Sequence, residues 1–384
     1  MVPKGWTLLQ VSDICKLQNG NSFKPHEWDT QGLPIIRIQN LNGSDNYNYF
    51  SGVPQDKWLV EPGQLLFSWA GTKGVSFGPF IWNGPKGVLN QHIYKVFANE
   101  NVHGHWLYLA LLHITQKIEA QAHGFKSTLL HVQKKDIDNQ FVLTPPVAEQ
   151  KKIAQILSTW DNAISVTEKL LTNSQLQKKA LMQKLLTGKK RLLDERGVRY
   201  GGEWHRAELG AVLDYMQPTP YLVDSTDYND SYSIPVLTAG KSFILGYTNE
   251  EHGIYHAPLP AIIFDDFTTD SKFVDFEFKA KSSAMKILTA KKGVSAKYIF
   301  EAMQMLKFKI GGHQRHWISI YSNLVIPIPD AKEQQKIASA LSTADAEIST
   351  LEKKLACLKE EKKALMQQLL TGKRRVKMDE AVAA

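Results

Sequence analysis

The stretch from Glu149 to Arg191 occurs a second time, 184 residues later, as Glu333 to Arg375. Glu149-Gln150-Lys151-Lys152-Ile153-Ala154 returns as Glu333-Gln334-Gln335-Lys336-Ile337-Ala338, and Leu157-Ser158-Thr159 as Leu341-Ser342-Thr343. Leu185-Leu186-Thr187-Gly188-Lys189 returns as Leu369-Leu370-Thr371-Gly372-Lys373. The offset never changes, and 26 of the 43 positions are identical. Internal repetition on this scale decides the fold before any single motif does.

Both copies read as long helices. Ile153, Leu157, Trp160, Ile164, Thr167, Leu171, Ser174, Lys178, Leu181 and Leu185 follow alternating steps of four and three, and the second copy repeats the pattern from Ile337 to Leu369. A heptad seam held over four to five repeats belongs to helices that pack along their length. Pro145 and Pro146 suit a first turn, while Asp330 and Glu333 have capping-box spacing. Gly188 and Gly372 close the helices, followed by Lys189-Lys190-Arg191 and Lys373-Arg374-Arg375, whose charge complements a carbonyl end. A helix of this length spans about 55–60 Å at a rise of ~1.5 Å per residue.

Weaker correspondences precede each helix. Trp6, Val11 and Ile14 are echoed by Trp204, Leu209 and Val212, and Leu33-Pro34-Ile35-Ile36 by Ile234-Pro235-Val236-Leu237. Short strand-like runs fill both segments: Gly63–Trp69 and Ile93–Phe97 in the first, Ala261–Phe264 and Ala284–Leu288 in the second. The expected division is a mixed domain over 1–145, a helix over 146–190, a second mixed domain over 191–329, a second helix over 330–376 and a flexible tail over 377–384. A chain of this order can pair its helices antiparallel about a pseudo-twofold axis, imitating a symmetric dimer on two half-sites. Divergent domains then allow unlike half-sites.

The 384 residues carry a net charge of +8 and a pI near 9.1, which favours a polyanionic partner because Lys and Arg release counterions from phosphates. Cys15 and Cys357 have neither disulfide-scaffold nor zinc spacing, and fit a reducing cytosol. The opening Met1-Val2-Pro3-Lys4-Gly5-Trp6 has no apolar signal core, and no apolar stretch approaches a membrane span. A soluble, cytoplasmic protein is expected.

With these residues in view, the chain resembles the specificity subunit of type I restriction–modification systems. The resemblance rests on Leu33-Pro34-Ile35-Ile36-Arg37-Ile38, Gly63-Gln64-Leu65-Leu66-Phe67-Ser68-Trp69, Leu89-Asn90-Gln91-His92-Ile93 and the two Glu-Gln-x-Lys-Ile-Ala to Leu-Leu-Thr-Gly-Lys helices. It implies an α+β fold in which two mixed α/β target-recognition domains are separated by two long antiparallel helices. It further implies a non-catalytic chain that reads a bipartite, asymmetric DNA site and docks two modification (methyltransferase) subunits, with restriction subunits joining through them. S-adenosylmethionine would then belong to the methyltransferase, ATP and Mg to the translocase–nuclease, and no cofactor to this chain. The second domain departs from the pattern: Lys281-Ser282-Ser283-Ala284-Met285 stands where Leu-Asn-Gln-His is expected.

The residues themselves offer rivals. A methyltransferase needs a Gly-rich cofactor loop and an Asn/Asp-Pro-Pro-aromatic element; Thr144-Pro145-Pro146-Val147 lacks the amide and the aromatic and reads as a helix start. A Walker-type loop is also missing. Asp265 or Asp266 followed by Glu277-Phe278-Lys279 has the order of a metal-dependent nuclease site. A turn plus an amphipathic strand over Phe273–Phe278 accounts for it better. His313, Arg315, His316 and Trp317 read as a loop with solvated or DNA-facing cations, without an acidic or Cys partner at metal-ligand spacing. A coiled-coil scaffold without nucleic acid is the third alternative.

Amide and cationic side chains can read base edges bidentately. The candidate DNA contacts are Arg37, Gln39, Asn40, Lys73, Asn90, Gln91 and His92 in the first domain, Trp82 and Asn83 being near them. In the second they are Thr238, Lys241, Lys272, Lys281, Ser282, Ser283 and Arg315. The helix ends supply candidate partner contacts at Glu149, Gln150, Lys189, Glu333, Gln334 and Lys373.

Overall fold

The computed structural model describes residues 2–121, 129–238, 242–306 and 316–378. The chain divides into two compact units, Met1–Val166 with Leu355–Ala384, and Thr167–Lys354. Each unit holds one mixed domain and half of each long helix. Those helices run over Val147–Leu185 and Ala331–Leu370.

Inside the first unit a four-stranded antiparallel sheet has the order Cys15–Asn19, Ile93–Ala98, Leu65–Ser68, Gly78–Ile81. A second sheet has the order Asn48–Phe50, Leu33–Ile36, Gly87–Leu89, Leu59–Val60, and its central pair is parallel, with Ile36 opposite Leu89. A ribbon of Thr7–Gln10 and Phe141–Thr144 leads into the first long helix. The helix Gly104–Gln121 buries Trp106, Leu107, Leu109, Ala110, Leu111 and Ile114 against the sheet core, which also takes in Ile153, Leu157, Met366 and Leu369 from the long helices.

The second unit repeats this plan. Its four-stranded sheet runs Leu213–Met216, Met285–Ala290, Ala261–Asp265, Ser271–Val274, the same order by chain position. Its parallel pair sets Leu237 opposite Ala280, as Ile36 faces Leu89. The ribbon His205–Glu208 with Val325–Ile328 leads into the second long helix. Its core likewise draws Met182, Leu185, Ile337 and Leu341 from the long helices.

The seam reads as periodicity predicts. Every heptad position from Ile153 to Leu185 and from Ile337 to Leu369 is buried or half-buried, while the positions between are mostly exposed. Within the first unit Lys362 pairs with Asp161; within the second Lys178 pairs with Asp345 at 2.6 Å and Ser174 Oγ donates to Glu347 at 2.8 Å. In both units the start of one helix therefore meets the end of the other, the antiparallel sense. Gly188 and Gly372 adopt φ of +71° and +68°, the left-handed geometry that ends a helix without a Cβ clash. The strand expected over Phe273–Phe278 is shorter: it stops at Val274, Asp275–Glu277 are exposed, and Phe278 is buried. Among the described residues no helix is long and apolar enough to cross a membrane.

Candidate nucleic-acid interface

The helix starts are the first place where sequence reasoning needs correction. Glu149, Gln150, Glu333 and Gln334 are all buried, and each is committed to its own unit. Glu149 Oε2 accepts the Trp6 indole N–H at 3.0 Å and the Arg375 Nε–H at 3.1 Å, while Arg375 Nη2 donates to Oε1. Arg375 Nη1 also donates to the Lys4 carbonyl at 2.9 Å, and the guanidinium lies over the Trp6 ring. Glu333 repeats the arrangement: Arg191 donates through Nε and Nη2 at 2.6 Å each, and Trp204 Nε1 at 3.0 Å. Arg191 reaches the Gly202 carbonyl at 2.9 Å and lies over Trp204. The hydrogen bond that Arg191 donates to Glu333 pushes the Arg191 pKa still higher.

Gln150 accepts from the His103 backbone N–H at 2.8 Å and donates to the Pro145 carbonyl at 2.9 Å. Gln334 accepts from Ser295 at 3.0 Å and donates to Pro329 at 2.9 Å. Asp330 Oδ1 caps the Lys332 and Glu333 N–H groups, one half of the expected capping box; the other half does not form, because the Glu333 carboxylate is taken by Arg191 and Trp204. The Glu-Gln pair thus closes the same clamp in each unit, with all four side chains buried and hydrogen-bonded inside their own unit. Lys189 and Lys373 are exposed.

All the candidate DNA contacts of the first unit except Lys73 gather in two turns. Arg37 opens the short helix Ile38–Leu41; its guanidinium lies 5.3 Å from the Trp28 ring, and its Nε is buried without an acceptor. Asn40 is 5% exposed and spent on the fold: Oδ1 accepts the Arg37 N–H, and Nδ2 donates to the Ser44 and Asn46 carbonyls. It shapes the turn that exposed Gln39 occupies, rather than reaching a base. Trp82 is buried as well, donating to the Pro85 carbonyl, whereas Asn83 is exposed. Lys73 is exposed and donates to the Glu119 carbonyl at 2.9 Å.

Asn90, Gln91 and His92 form the turn between Gly87–Leu89 and Ile93–Ala98, each half-buried. Here the structure adds a residue that motif reading passed over. The Trp69 ring stacks on Tyr94, with centroids 6.0 Å apart, and meets His92 at 5.3 Å and His131 at 4.6 Å. Trp69 Nε1 donates to the Gln91 carbonyl at 3.1 Å. Burial, and secondarily His131, hold the His92 pKa below its ordinary value, so the ring is neutral near pH 7.

The same backbone position in the second unit carries Asp266. Trp69 N–H donates to the His92 carbonyl and its own carbonyl accepts from Val132; Asp266 N–H donates to Ala284 and its carbonyl accepts from His316. Where Trp69 meets Tyr94, Asp266 pairs with buried Lys286 at 3.1 Å, and Lys286 Nζ donates to Gln217. One frame thus holds an aromatic stack in one unit and a buried ion pair in the other.

Of the second unit's candidates, Lys272, Lys281 and Ser283 are exposed, Thr238 and Ser282 half-buried. Lys281 is the positional twin of Asn90, since its N–H donates to Leu237 as that of Asn90 does to Ile36; its ammonium lies near the Tyr228 ring. Ser282 Oγ accepts the Ala284 N–H, a turn role. Lys241, His313 and Arg315 lie outside the described residues. His316 and Trp317 are not part of a solvated cationic loop: both are buried, Trp317 packing on Phe264 and Tyr321.

The nuclease-like residues have separate duties. Asp266 pairs with Lys286, exposed Glu277 with His256 at 2.8 Å, and Lys279, fully buried, with Glu250 at 2.5 Å. Burial tends to raise the Glu250 pKa, but the Lys279 ammonium and the Ser225 and Asp224 N–H groups bring it down to about 2. Among the described residues Asp224, Glu250 and His252 lie close enough to share a cation, yet Lys279 already occupies that carboxylate and Asp224 holds His252 at 2.8 Å.

Fold and repeat together define a protein of two mixed domains on two long helices, and comparison with known proteins says of which family. The type I restriction modification DNA specificity domain matches residues 3–174 and 202–360, and the chain belongs to that family. The specificity subunit of the type I restriction enzyme EcoR124I/EcoR124II of Escherichia coli is 55% identical over 139 residues, 35% of this chain and 34% of that protein. The chain thus aligns with about a third of that relative's length. The putative MjaX specificity subunit of Methanocaldococcus jannaschii is 26% identical, with 98% of this chain and 95% of that protein covered. Among solved structures, the S subunit of a type I system from M. genitalium superposes with a TM-score of 0.63 at 14% identity, over 98% of this chain and 97% of that one. That likeness supports the fold.

Proposed function

We propose that the chain is the specificity subunit that directs a type I restriction–modification enzyme to a split, asymmetric DNA site and does no chemistry itself. The observation that carries this reading is the twin position of Trp69 and Asp266: one backbone frame, built twice on interchangeable helices, offers different chemistry at the same place. Two unlike readers on like supports suit two unlike half-sites, much as dimers suit palindromes. The net charge of +8 supplies the sequence-independent phosphate attraction.

In this reading Gln39, Gln91, His92 and Asn90 face bases or phosphates in the first half-site, with Arg37 and Lys73 beside them. Lys272, Lys281 and Ser283 do so in the second, with Thr238, Ser282, Lys241 and Arg315 as further candidates. Asn40 positions the turn. Two modification subunits dock on the chain and bring S-adenosylmethionine; restriction subunits, with ATP and Mg, join through them.

Methylome sequencing of a host expressing the chain with its own methyltransferase tests this. The expected result is a methylated motif in two parts separated by unread bases. Replacing residues 191–329 by the corresponding segment of another family member should change one part only. A continuous motif, or a motif indifferent to the exchange, would sink the proposal.

A further inference from the structure

Two nitrogens of the first unit are buried on one helix face with nothing opposite them. Among the described residues, Trp106 Nε1 and His113 Nδ1 have no hydrogen-bond partner, and Trp106 is fully buried. Trp106, Ala110, His113 and Lys117 follow steps of four, three and four along Gly104–Gln121, so they share that face. The face lines a cavity of about 280 Å³, bounded also by Leu8 and Phe141 of the entering ribbon and by Leu370 of the second long helix.

The second unit treats the same place differently. Gln150 accepts the His103 N–H and Gln334 the Ser295 N–H, which makes Tyr298 the counterpart of Trp106. The Tyr298 hydroxyl donates to the Pro327 carbonyl at 2.7 Å. Pro327 pairs with Arg206 as Leu143, on the cavity wall, pairs with Leu8. The helix of the second unit also ends at Gln304, before Met305, the counterpart of His113. A donor satisfied in one unit is therefore stranded in the other. Such a donor destabilises the fold unless something brings it an acceptor.

We propose that this cavity binds a small organic acid, an apolar body of one ring or a short branched chain that ends in a carboxylate. This goes beyond the DNA-reading role and does not depend on it. The body suits Ala110, Ile114 and Leu370, in a volume of about 280 Å³. That is roughly twice the ~150 Å³ that admits benzene to an apolar core. The carboxylate, which only accepts, suits the Trp106 N–H and the ammonium of exposed Lys117. Burial, and secondarily Lys117, hold the His113 pKa below its ordinary value, so near pH 7 the neutral ring can donate from Nδ1. No acidic residue lines the cavity to oppose the charge. A leucine or phenylalanine side chain of a protein partner would fill the space but leave both nitrogens unpaired. A partner engaging both units would need the cavity twice, and in the second unit Tyr298 bonds Pro327 instead.

Titration calorimetry of the full chain with phenylacetate, beside phenylethanol and ethylbenzene, tests the proposal, with heteronuclear NMR following the indole N–H signals. Phenylacetate should bind once per chain, at least tenfold more tightly than phenylethanol. It should shift one indole signal strongly, the one missing from Trp106→Phe. Lys117→Met, at an exposed position that leaves the core intact, should weaken the acid several-fold and leave phenylethanol unchanged. Ala110→Leu, which fills the cavity, should abolish both. Absence of saturable binding at millimolar acid would overturn the proposal, as would ethylbenzene held as tightly as the acid. Acid binding unaltered in Lys117→Met and Ala110→Leu would place it elsewhere on the chain and overturn it too. So would a Trp106 signal that ignores the acid and moves only when the modification subunit is added, which would give the cavity to a protein side chain.

Discussion

Arg191 grips both carboxylate oxygens of Glu333 at 2.6 Å, and the carboxylate beneath is fully buried. Arg375 and Glu149 form the same fork, with the arginine more open to solvent. Each fork ties the residues that follow one helix to the first turn of the other, and each brings in a tryptophan from the entering ribbon.

Removing the buried carboxylate of this pair costs at most about 3–5 kcal/mol, since the Arg191 guanidinium it leaves is partly open to water. Glu333→Gln should therefore destabilise the unit Thr167–Lys354 by up to this amount, seen as a lower Tm and faster amide exchange at Trp204 and the first turns of the second helix. Glu149→Gln should cost clearly less, since Arg375 keeps more water. Equal losses in calorimetry would contradict the assignment of the Glu149–Arg375 fork as the weaker one.

Lys279 and Glu250 bear on both stability and the nuclease reading. Lys279→Met strands a carboxylate whose pKa is otherwise held near 2. A depressed carboxylate contributes stability above its unfolded value, near 4.5, that is lost as the pH falls toward 2. The variant should lose up to about 3–5 kcal/mol at neutral pH and show a flatter stability profile between pH 4.5 and 2. Any metal-dependent cleavage by the purified wild-type chain that disappears in this variant would revive a catalytic role.

How much of this was legible without coordinates depends on the range of the interaction. Heptad steps, the Asp330 cap and the two terminal glycines are local and were read correctly from spacing, whereas the return bond from Glu333 that would complete a capping box was not, its carboxylate going to Arg191 and Trp204. The duty of Glu149 and Glu333 was not, because repetition marks shared constraint without saying whether the constraint is a core or a partner; only the distant Arg375 and Arg191 decide it. Asn40 resembled a base reader because its amide bonds lie in the turn beyond it. Lys279 and Lys286 gave no sign of burial, since their acids come from other parts of the chain. Trp69 and Asp266 occupy one position, but loops of different length hid that until strand pairing aligned them.

Acid should loosen the unit that contains Gly104–Gln121. His92, His105 and His113 all have pKa values lowered, chiefly by burial. The unfolded chain then binds more protons than the native one as pH drops through ~6.5, so stability falls there and is fully present above it. Hydrogen exchange at pH 7.5 and 5.5 should show lost protection in that helix. His105→Gln and His113→Gln together should blunt the difference; an unchanged difference would place the sensitivity elsewhere.

The proposed reading of a two-part site makes helix length the expected measure of the gap between its parts. Adding one turn to both long helices, ~5.4 Å, should lengthen the unread gap by roughly one to two base pairs at ~3.4 Å each. Methylome sequencing reads the outcome directly. A folded, active variant with an unaltered gap would show that the helices do not meter it.

The charge pairs along the seam have an arithmetic of their own. Asp161 takes Lys362, and Asp345 takes Lys178, so each acid bonds the other copy's version of one and the same lysine. Nothing in these bonds requires the two versions to share a peptide chain. A gene cut to the span from Trp6 to Arg191 would encode Glu149 and Arg191, Asp161 and Lys178, both halves of every lock. Two such products could close on one another through the same bonds, which makes the longer chain reachable by duplication followed by divergence of its two mixed domains.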